Sequence, residues 1–238
     1  MFPDSLRSPR LRVKNQAARP VLPLAFGARL HFESRVTAPQ KILVATGNAH
    51  KTREIREMLG GAFEVTDLKS HPEIRAADET GATFQENATI KAVEASRVFD
   101  GLVLADDSGL EVDALGGAPG VRSARYAAEN GNANSSDETN RRKLLAELER
   151  VGARGRDRAA RFRCAMALAQ RGELIATFDG AVEGTIIHRE KGGGGFGYDS
   201  LFVPAGECGT FGQLSAEVKN GMSHRGRALA KVRAFLSR

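Results

Sequence analysis

Cysteines and long apolar runs are scarce in this sequence, and their scarcity excludes several classes of protein. Only two of the 238 residues are cysteine, which leaves no disulfide framework and no C-x-x-C pair. No apolar run approaches the roughly 20 residues that a membrane span requires. We therefore expect a cytoplasmic protein that acts in the reducing cytosol and not in a membrane.

Several common catalytic patterns are also missing. The chain has five histidines, but they form neither a Ser-His-Asp order nor the His/Cys spacing of a zinc site. The phosphate loop G-x-x-x-x-G-K-[ST] is absent as well. The composition, with 41% hydrophobic and 27% charged residues, is that of an ordinary globular protein that is long enough to bury a sizeable core.

Acidic residues are too few to balance the basic ones, and the imbalance lies at one end of the chain. The formal net charge is +6, which on its own favours a nucleic-acid-binding module. Residues 1–40 carry seven basic and two acidic side chains, so residues 41–238 are almost neutral. A nucleic-acid-binding role for the basic arm is therefore the alternative, and we expect no nucleic-acid partner.

The basic segment 1–40 has no sustained hydrophobic period and no continuous apolar region of a secretory signal. It is compatible with a disordered arm, an Arg-rich targeting peptide, or upstream sequence translated from a misassigned start. We favour a dispensable, disordered extension, followed by one domain over residues 41–238.

From Lys41 onward, strand and helix patterns alternate, which predicts an α/β fold. Ile42–Ala45 is an apolar run typical of a buried parallel strand, and HKTREIREML after it has helical spacing. Thr83 and Glu86 form a capping box that opens a helix ending near Phe99. Further strands are predicted at 63–65, 101–105, 110–115, 162–168, 173–188 (as a pair) and 200–203, and further helices at 137–150 and 225–236.

The stretch LADDSGL places two adjacent carboxylates, Asp106 and Asp107, where the predicted strand 101–105 ends. Desolvating either costs several kcal/mol unless a cation or hydrogen-bond donors compensate, although Asp-Asp-Ser-Gly is also good turn chemistry. Asp107 could bind a hard cation such as Mg²⁺ or deprotonate a water, and Asp78 or Glu79 could join it. Alternatively, Asp78 and Glu79 are favourable charges near a helix start.

Two further stretches could bind phosphate. In VATGNAHK a strand runs through Thr46 and Gly47 into a helix, whose free backbone N–H groups would form an anion site together with Lys51. Alternatively, Asn48 merely caps that helix. Lys91 lies four residues after Asn87 on one helical face, from which it could reach a phosphate.

Two more stretches carry residues that are suited to binding a ligand. GGGGFGYDS holds five glycines in six positions, and Phe196 and Tyr198 could stack on a base, unless the segment is only a flexible hairpin loop. In AEVKNGMSHRGRAL, Lys219, His224 and Arg225 gather donors just before a helix. Alternatively, Ser223 is an N-cap and His224 is structural.

These motifs occur in the order TGNxxK, ETGATFxENAxxKA, ADDSGLxVDALGGAPGVxSARYA, GFGYDxLF and KNxxSHRGxAL. In this order they closely resemble the inosine/xanthosine triphosphate pyrophosphatase family, from Lys41 nearly to the C-terminus. The resemblance implies an elongated two-lobed α/β fold, with a long central mixed β-sheet flanked by helices and the active-site cleft between the lobes. It also implies a homodimer that hydrolyses dITP, ITP and XTP to the monophosphate and pyrophosphate with Mg²⁺.

The same resemblance implies a set of site residues. Asp107 matches the catalytic proton acceptor, and Asp78 and Asp107 match the metal ligands, with Glu79 and Asp106 beside them. The substrate contacts fall on Thr46, Gly47, Asn48, Ala49, His50, Lys51, Lys91, Ser108, Phe196, Gly197, Tyr198, Asp199, Lys219, His224 and Arg225. Stacking on Phe196 does not distinguish bases, so discrimination is expected to rest on hydrogen bonds at the six position of the purine.

The chain departs from the family pattern in three places. The extension 1–40 has no counterpart, Asp78 stands where the family commonly has Glu, and the four consecutive glycines 192–195 are expected to loosen the loop before Phe196. The nearest alternative activities are hydrolysis of modified pyrimidine or standard triphosphates, and nucleotide sensing without catalysis. Which of Asp106 and Asp107 transfers the proton is left open by the sequence.

Overall fold

The computed structural model describes residues 40–128 and 134–237. The predicted extension 1–40 lies outside the described residues except for its last residue. Within the described ranges, none of the helices combines the length and the apolar character needed to cross a bilayer.

The described residues form a six-stranded mixed sheet in the order β2-β1-β3-β4-β5-β6. The strands are β1 Gln40–Val44, β2 Phe63–Asp67, β3 Leu102–Val112, β4 Ala159–Gln170, β5 Glu173–Ile186 and β6 Phe202–Pro204. β1 pairs in parallel with β2 and β3, whereas the pairs from β3 to β6 are antiparallel. The predicted α/β class with a long central mixed sheet is confirmed.

Five helices flank this sheet in the described residues. They are α1 Ala49–Leu59, α2 Phe84–Ser96, α3 Asp137–Arg150, α4 Ala216–Met222 and α5 His224–Leu236. The predicted capping box at α2 is confirmed, because the Thr83 hydroxyl accepts from Glu86 N and the Glu86 carboxylate accepts from Thr83 N. Helix α4 was not predicted, because its 7 residues are too few to show a clear hydrophobic period.

The hydrophobic core consists of three clusters, one on each face of the sheet and one at its far end. On one face, α1 and α5 pack through Ile55 and Leu229 against β1, β3 and β4. On the other face, α2 packs through Ala88 and Ala92 against alanines of β3 and β4, and these small side chains let the helix lie close to the sheet. At the far end, α3 contributes to a third cluster of leucines and phenylalanines.

The prediction of two strands at 101–105 and 110–115 was wrong, because β3 runs without a break through the acidic pair. The pairing with β4 continues from Val103 to Val112 and overrides the turn preference of Asp-Asp-Ser-Gly. The predicted strand pair at 173–188 is likewise one strand, β5, which follows β4 along its length. Both errors come from long-range pairing that a local pattern does not contain.

The acidic pair nevertheless lies at a boundary in the sheet. The partner β1 ends at Val44, opposite Leu104, and the Ala45 N–H donates a last hydrogen bond to the Leu104 carbonyl at 2.9 Å. Beyond that point β3 stays paired with β4, while its other edge is no longer covered by β1 until the segment around Pro119 bridges to Glu111. Ligands in open α/β sheets bind in such crevices at the carboxyl ends of parallel strands, where the topology changes.

Candidate active site

Asp106 and Asp107 are adjacent in sequence but point to opposite faces of the sheet. Successive side chains of a strand alternate between the two faces. Asp106 contacts Lys51 of α1 and Arg225 of α5, whereas Asp107 contacts Lys91 of α2. The two carboxylates therefore belong to separate networks with different electrostatic properties.

Asp106 is buried, and protein groups bind both of its carboxylate oxygens. One oxygen lies 2.5 Å from Lys51 Nζ and accepts from Ser108 Oγ at 2.9 Å. The other accepts from Arg225 Nε at 3.1 Å and from the Cys164 thiol at 3.0 Å. Burial alone would raise the pKa of Asp106, but Arg225 and Lys51 outweigh it and hold the pKa well below its ordinary value. Asp106 is therefore permanently ionised and saturated, which does not fit a proton acceptor or a metal ligand.

Asp107 is also buried, but it is less fully compensated. Lys91 Nζ lies 2.8 Å from Oδ1, and Asn87 Nδ2 donates to Oδ2 at 3.3 Å. Burial raises the pKa of Asp107 above its ordinary value, and the nearby Lys91 and Lys51 offset this effect only in part. A carboxylate whose pKa is raised towards the working pH is suited to accept a proton. Of the two acids, Asp107 therefore has the properties of a general base.

Of the remaining predicted metal ligands, Glu79 is drawn into this network and Asp78 is not. Glu79 lies 2.6 Å from Lys91 Nζ and 2.7 Å from Arg125 NH1. Asp78 is exposed, and within the described ranges its side chain makes no hydrogen bond or ion pair. Glu79 and Asp107 thus share the ammonium group of Lys91, so a positive charge already lies between two carboxylates at this point.

The start of α1 supports both interpretations of VATGNAHK. Asn48 caps the helix, since its Oδ1 accepts from His50 N at 2.9 Å and from Lys51 N at 3.3 Å. The Asn48 N–H donates to Thr46 Oγ1 at 3.1 Å. The Asn48 side chain therefore already binds two of the helix N–H groups that were expected to be free for an anion, and the N–H of Asn48 itself is bound by Thr46. A phosphate here would rest mainly on the Lys51 ammonium group and on the open space around Gly47.

A buried carboxylate that the sequence reasoning missed, Glu54 of α1, connects two of the predicted cations. Its two oxygens lie 2.7 Å from Lys219 Nζ and 2.6 Å from Arg225 NH1. Lys219 also lies 2.7 Å from Asp199 Oδ2. Burial alone would raise the pKa of Glu54, but the two cations lower it. Its position three residues after Lys51 on one face of α1 was the only signal available in the sequence.

Two of the four consecutive glycines that were expected to loosen the loop before Phe196 pack closely against neighbouring groups. A Cβ at Gly195, which has φ +72°, would collide with the Asp199 carboxylate, and one at Gly192 would collide with the backbone of Gly212. Gly194 N donates to Gly212 O at 2.9 Å, and Phe196 N donates to Asp199 Oδ2 at 2.8 Å. Gly192 and Gly195 are therefore required here for close packing, whereas Gly193 has open space around it.

The two aromatic residues of the loop have different roles. Phe196 is half-buried, and its ring stacks with His50 at 5.3 Å between centroids and lies 5.1 Å from Lys219 Nζ. Tyr198 is buried, and its hydroxyl donates to the Ser123 carbonyl at 2.9 Å. Phe196 is therefore the residue that could stack on a base, whereas Tyr198 holds the loop against the segment after β3.

His224 is buried against the aromatic core. Its ring stacks on Phe162 at 4.8 Å, and its Nδ1 has no hydrogen-bond partner within the described residues. Burial lowers the pKa of His224 well below its ordinary value, so the imidazole is neutral. Ser223 caps α5 as the alternative interpretation expected.

These residues line two adjoining cavities. The first contains most of the predicted substrate contacts: Asn48, Lys51, Asp107, Ser108, Phe196, Gly197, Tyr198, Asp199, Lys219, His224 and Arg225. The second is lined by Thr46, Gly47, Lys91 and the unpredicted Arg75, and it shares Asn48, Lys51 and Glu79 with the first. Ala49, His50, Asp78 and Asp106 line neither cavity. A larger groove at the start of α2 is lined by none of the predicted catalytic, substrate-binding or metal-binding residues.

The sequence of this chain matches the model of one protein family, described as the Ham1 family, over residues 42–235. The chain belongs to the Ham1 family. It is 46% identical over 197 residues to the dITP/XTP pyrophosphatase of Geobacter sulfurreducens, a match that covers 82% of this chain and 96% of the relative. It is 45% identical over 201 residues to the protein of the same name from Bacillus licheniformis, with 83% and 98% covered.

Solved structures of Ham1 proteins have the same fold. The Ham1 protein of Staphylococcus aureus matches with a TM-score of 0.71 at 37% identity, covering 83% of this chain and 98% of that one. A HAM1 protein from Coxiella burnetii matches with a TM-score of 0.72 at 35% identity and the same coverage. This Ham1 chain thus shares its described fold along nearly the full length of those relatives.

Proposed function

We propose that this Ham1 chain hydrolyses non-standard purine nucleoside triphosphates of the dITP, ITP and XTP type to the nucleoside monophosphate and pyrophosphate. The proposal is supported most directly by the arrangement at the end of β1. There a buried carboxylate with a raised pKa, Asp107, lies beside the lysine Lys91 and next to a cleft lined by Phe196 and His224. Relatives named dITP/XTP pyrophosphatase support the same substrate class.

In the proposed reaction, Asp107 accepts a proton from a water molecule whose oxygen attacks the α-phosphorus. The bond from the α-phosphorus to the bridging oxygen breaks, and that oxygen leaves with pyrophosphate. Asp106 does not take part in proton transfer, because Arg225 and Lys51 hold it ionised. Instead it fixes Lys51 beside the cleft, from which the ammonium group can stabilise charge on the phosphates.

We further propose that the site uses Mg²⁺, held by Asp107 with Glu79 or Asp78. Carboxylate oxygens are the donors that Mg²⁺ prefers, and Glu79 and Asp107 already face one cation, the Lys91 ammonium group. No cluster of three acidic, histidine or cysteine side chains occurs in the described ranges, which suits a cation that keeps waters and substrate oxygens as ligands. When bound, Mg²⁺ supplies positive charge against the charge that develops on the phosphates.

The base is proposed to lie against Phe196, with its edge towards His224. His224 lines the same cavity as Phe196, its imidazole is neutral, and its Nδ1 has no hydrogen-bond partner in the described residues. A site that pairs with a 6-oxo group leaves polar atoms unsatisfied when adenine binds, which disfavours adenine by several orders of magnitude. Rejection of guanine requires additional contacts, since guanine shares the 6-oxo group.

The experiment that tests this function is pyrophosphate release from dITP, XTP, dGTP, dATP and dTTP with and without Mg²⁺. We expect turnover of dITP and XTP in the presence of Mg²⁺, abolished by Asp107→Asn. Equal turnover of the whole panel would contradict the proposed base selectivity, and no turnover would contradict the activity. The homodimer and the cytoplasmic location stay predictions, and light scattering of the purified chain tests the former.

A further inference from the structure

Both main-chain groups of Gly197, the residue after the proposed base-stacking Phe196, are bound by side chains of one helix. Gly197 N donates to Asp137 Oδ2 at 2.6 Å, and Arg141 NH1 donates to the Gly197 carbonyl at 2.9 Å. Asp137 and Arg141 are four residues apart in the first two turns of α3, so they project from one face of the helix. We call this pair of contacts the Gly197 clamp.

The cationic half of the clamp is held in place from a second side. Arg141 Nε lies 2.9 Å from Glu190 Oε2, and the Arg141 side chain is only 18% exposed. Glu190 in turn accepts from Ser200 Oγ at 3.0 Å. Arg141 therefore contacts Glu190, which precedes the glycine-rich loop, as well as Gly197 within the loop. Glu190 in turn connects this arginine to Ser200, which follows Gly197.

The helix that carries the clamp is itself rigidly anchored. Leu144 and Leu148 of α3 are completely buried in the core cluster at the far end of the sheet. Asn140, between the two clamp residues, is buried and accepts from Ala127 N at 2.8 Å while donating to the Ala124 carbonyl at 3.2 Å. These contacts fix the position of α3 relative to the cleft. Through Asp137 and Arg141, the helix in turn fixes the position of Gly197.

The clamp acts where the backbone has the most freedom. Gly197 has a φ of +61°, a conformation that glycine adopts and leaves at little cost. Rotation of the peptide units around Gly197 would turn the adjoining Phe196 ring away from its position 5.1 Å from Lys219 Nζ. The clamp also occupies the Gly197 N–H and carbonyl, two groups beside the base cleft that could otherwise pair with the edge of a purine.

We propose that Asp137 and Arg141 are positioning residues that set the base selectivity of the site by fixing Gly197 and hence the Phe196 ring. The inference rests on the proposed function, since it assigns Phe196 to the base. Loss of the clamp would weaken base binding and leave the contacts of Asp107 with Lys91 and Asn87 in place, since neither clamp residue takes part in them. It would also release a donor and an acceptor that pair with the exocyclic groups of the wrong bases.

The test compares Arg141→Met and Asp137→Asn with two control variants on the same helix. Arg142→Met and Glu138→Gln remove the same charges from side chains that are 70% and 74% exposed and that, within the described residues, form an ion pair with each other alone. The readouts are kcat and KM for dITP, the ratio of kcat/KM between dITP and dGTP, and the dissociation constants of dIMP and dGMP. Neither monophosphate has an anhydride to hydrolyse, and the two differ only in the base, so the ratio of their dissociation constants reports on the base site without turnover.

For both clamp variants we expect KM for dITP and the dissociation constant of dIMP to rise roughly tenfold, with kcat changed less than about threefold. The preference for dITP over dGTP should fall, and Arg141→Lys should restore part of it because lysine still donates to the carbonyl. Both controls should match the wild type. Unchanged dIMP binding and selectivity in Arg141→Met, or equal effects in the controls, would overturn the proposal.

The same experiment separates failure of this inference from failure of the proposed function. A wild-type chain that binds dIMP more tightly than dGMP but releases no pyrophosphate contradicts the hydrolysis and leaves the clamp testable by monophosphate binding. A wild-type chain that hydrolyses dITP, with clamp variants that keep its selectivity, contradicts the clamp only. A wild-type chain that binds neither monophosphate overturns both.

Discussion

Replacing the buried carboxylate Glu54 of α1 by glutamine should destabilise the protein strongly. Glu54 is 8% exposed and holds Lys219 and Arg225, which come from the other end of the chain. With Lys51, Asp106 and Asp199, these residues form a buried network of three cations and three carboxylates. Glutamine has almost the same volume but no charge, so the change leaves the network with an excess positive charge.

Removal of one partner from a buried ion pair costs about 3–5 kcal/mol, mostly because the other charge stays buried without compensation. Lys219 keeps Asp199 and Arg225 keeps Asp106, each at hydrogen-bonding distance, so the lower end of that range applies. We therefore expect the free energy of unfolding to fall by about 3 kcal/mol. For a domain of this size, that corresponds to a melting temperature lower by about 6–12 °C.

The assay is urea denaturation of the wild type, Glu54→Gln and the control Glu57→Gln. Glu57 lies on the same helix, is exposed and accepts one hydrogen bond from Asn220 at 3.3 Å, so its loss should cost under about 0.5 kcal/mol. The two cations lower the pKa of Glu54 in the folded state, so its stabilisation is present above the unfolded pKa and is lost as the pH falls through the folded pKa. The difference between wild type and Glu54→Gln should therefore shrink in acid.

A loss smaller than about 1 kcal/mol at neutral pH would refute the reasoning, because a surface ion pair contributes that little. A loss that is independent of pH would refute it as well. Such a result would mean that the side chain stabilises the protein by packing and not by its charge.

Three other predictions follow from the geometry of the site. Asp107→Asn should lower pyrophosphate release from dITP by about 10²–10⁴-fold, because an amide at this position cannot accept the proton of the attacking water. Gly195→Ala, whose Cβ would meet the Asp199 carboxylate at a positive φ, should cost more than about 1 kcal/mol, whereas Gly193→Ala, with open space, should not. Thr83→Ala should cost about 1 kcal/mol in urea denaturation by removing the capping box of α2.

Features that depend on neighbours in the sequence could be predicted from the sequence. The capping box at Thr83 and the caps at Asn48 and Ser223 involve residues within three positions of each other, and all three occur in the structure. The α/β class followed from the alternation of strand and helix patterns. Because these signals are local, they specify where helices begin without specifying what packs against them.

The contacts that determine the chemistry of the site connect distant parts of the chain. They could therefore not be predicted from local sequence patterns. Glu54 meets partners 165 and 171 positions away, and Arg141 meets a carbonyl 56 positions away. Tyr198 was expected to be able to stack on a base, but its hydroxyl partner is the Ser123 carbonyl, 75 positions away. Motif resemblance identified Lys219 and Arg225, but it did not identify the carboxylate that holds both.

The corrected course of β3 explains why two adjacent acids serve this site better than two acids at a turn. At a turn, the carboxylates would share one environment, and their titrations would be coupled. Within a strand, alternation sends Asp106 towards Arg225 and Asp107 towards Lys91, with the sheet between the two networks. One carboxylate is thereby kept ionised to hold cations in place, while the other has a raised pKa and is available for protons. The end of β1 at Val44 then opens the edge of β3 at this position, which gives a ligand access to the acid that is not saturated.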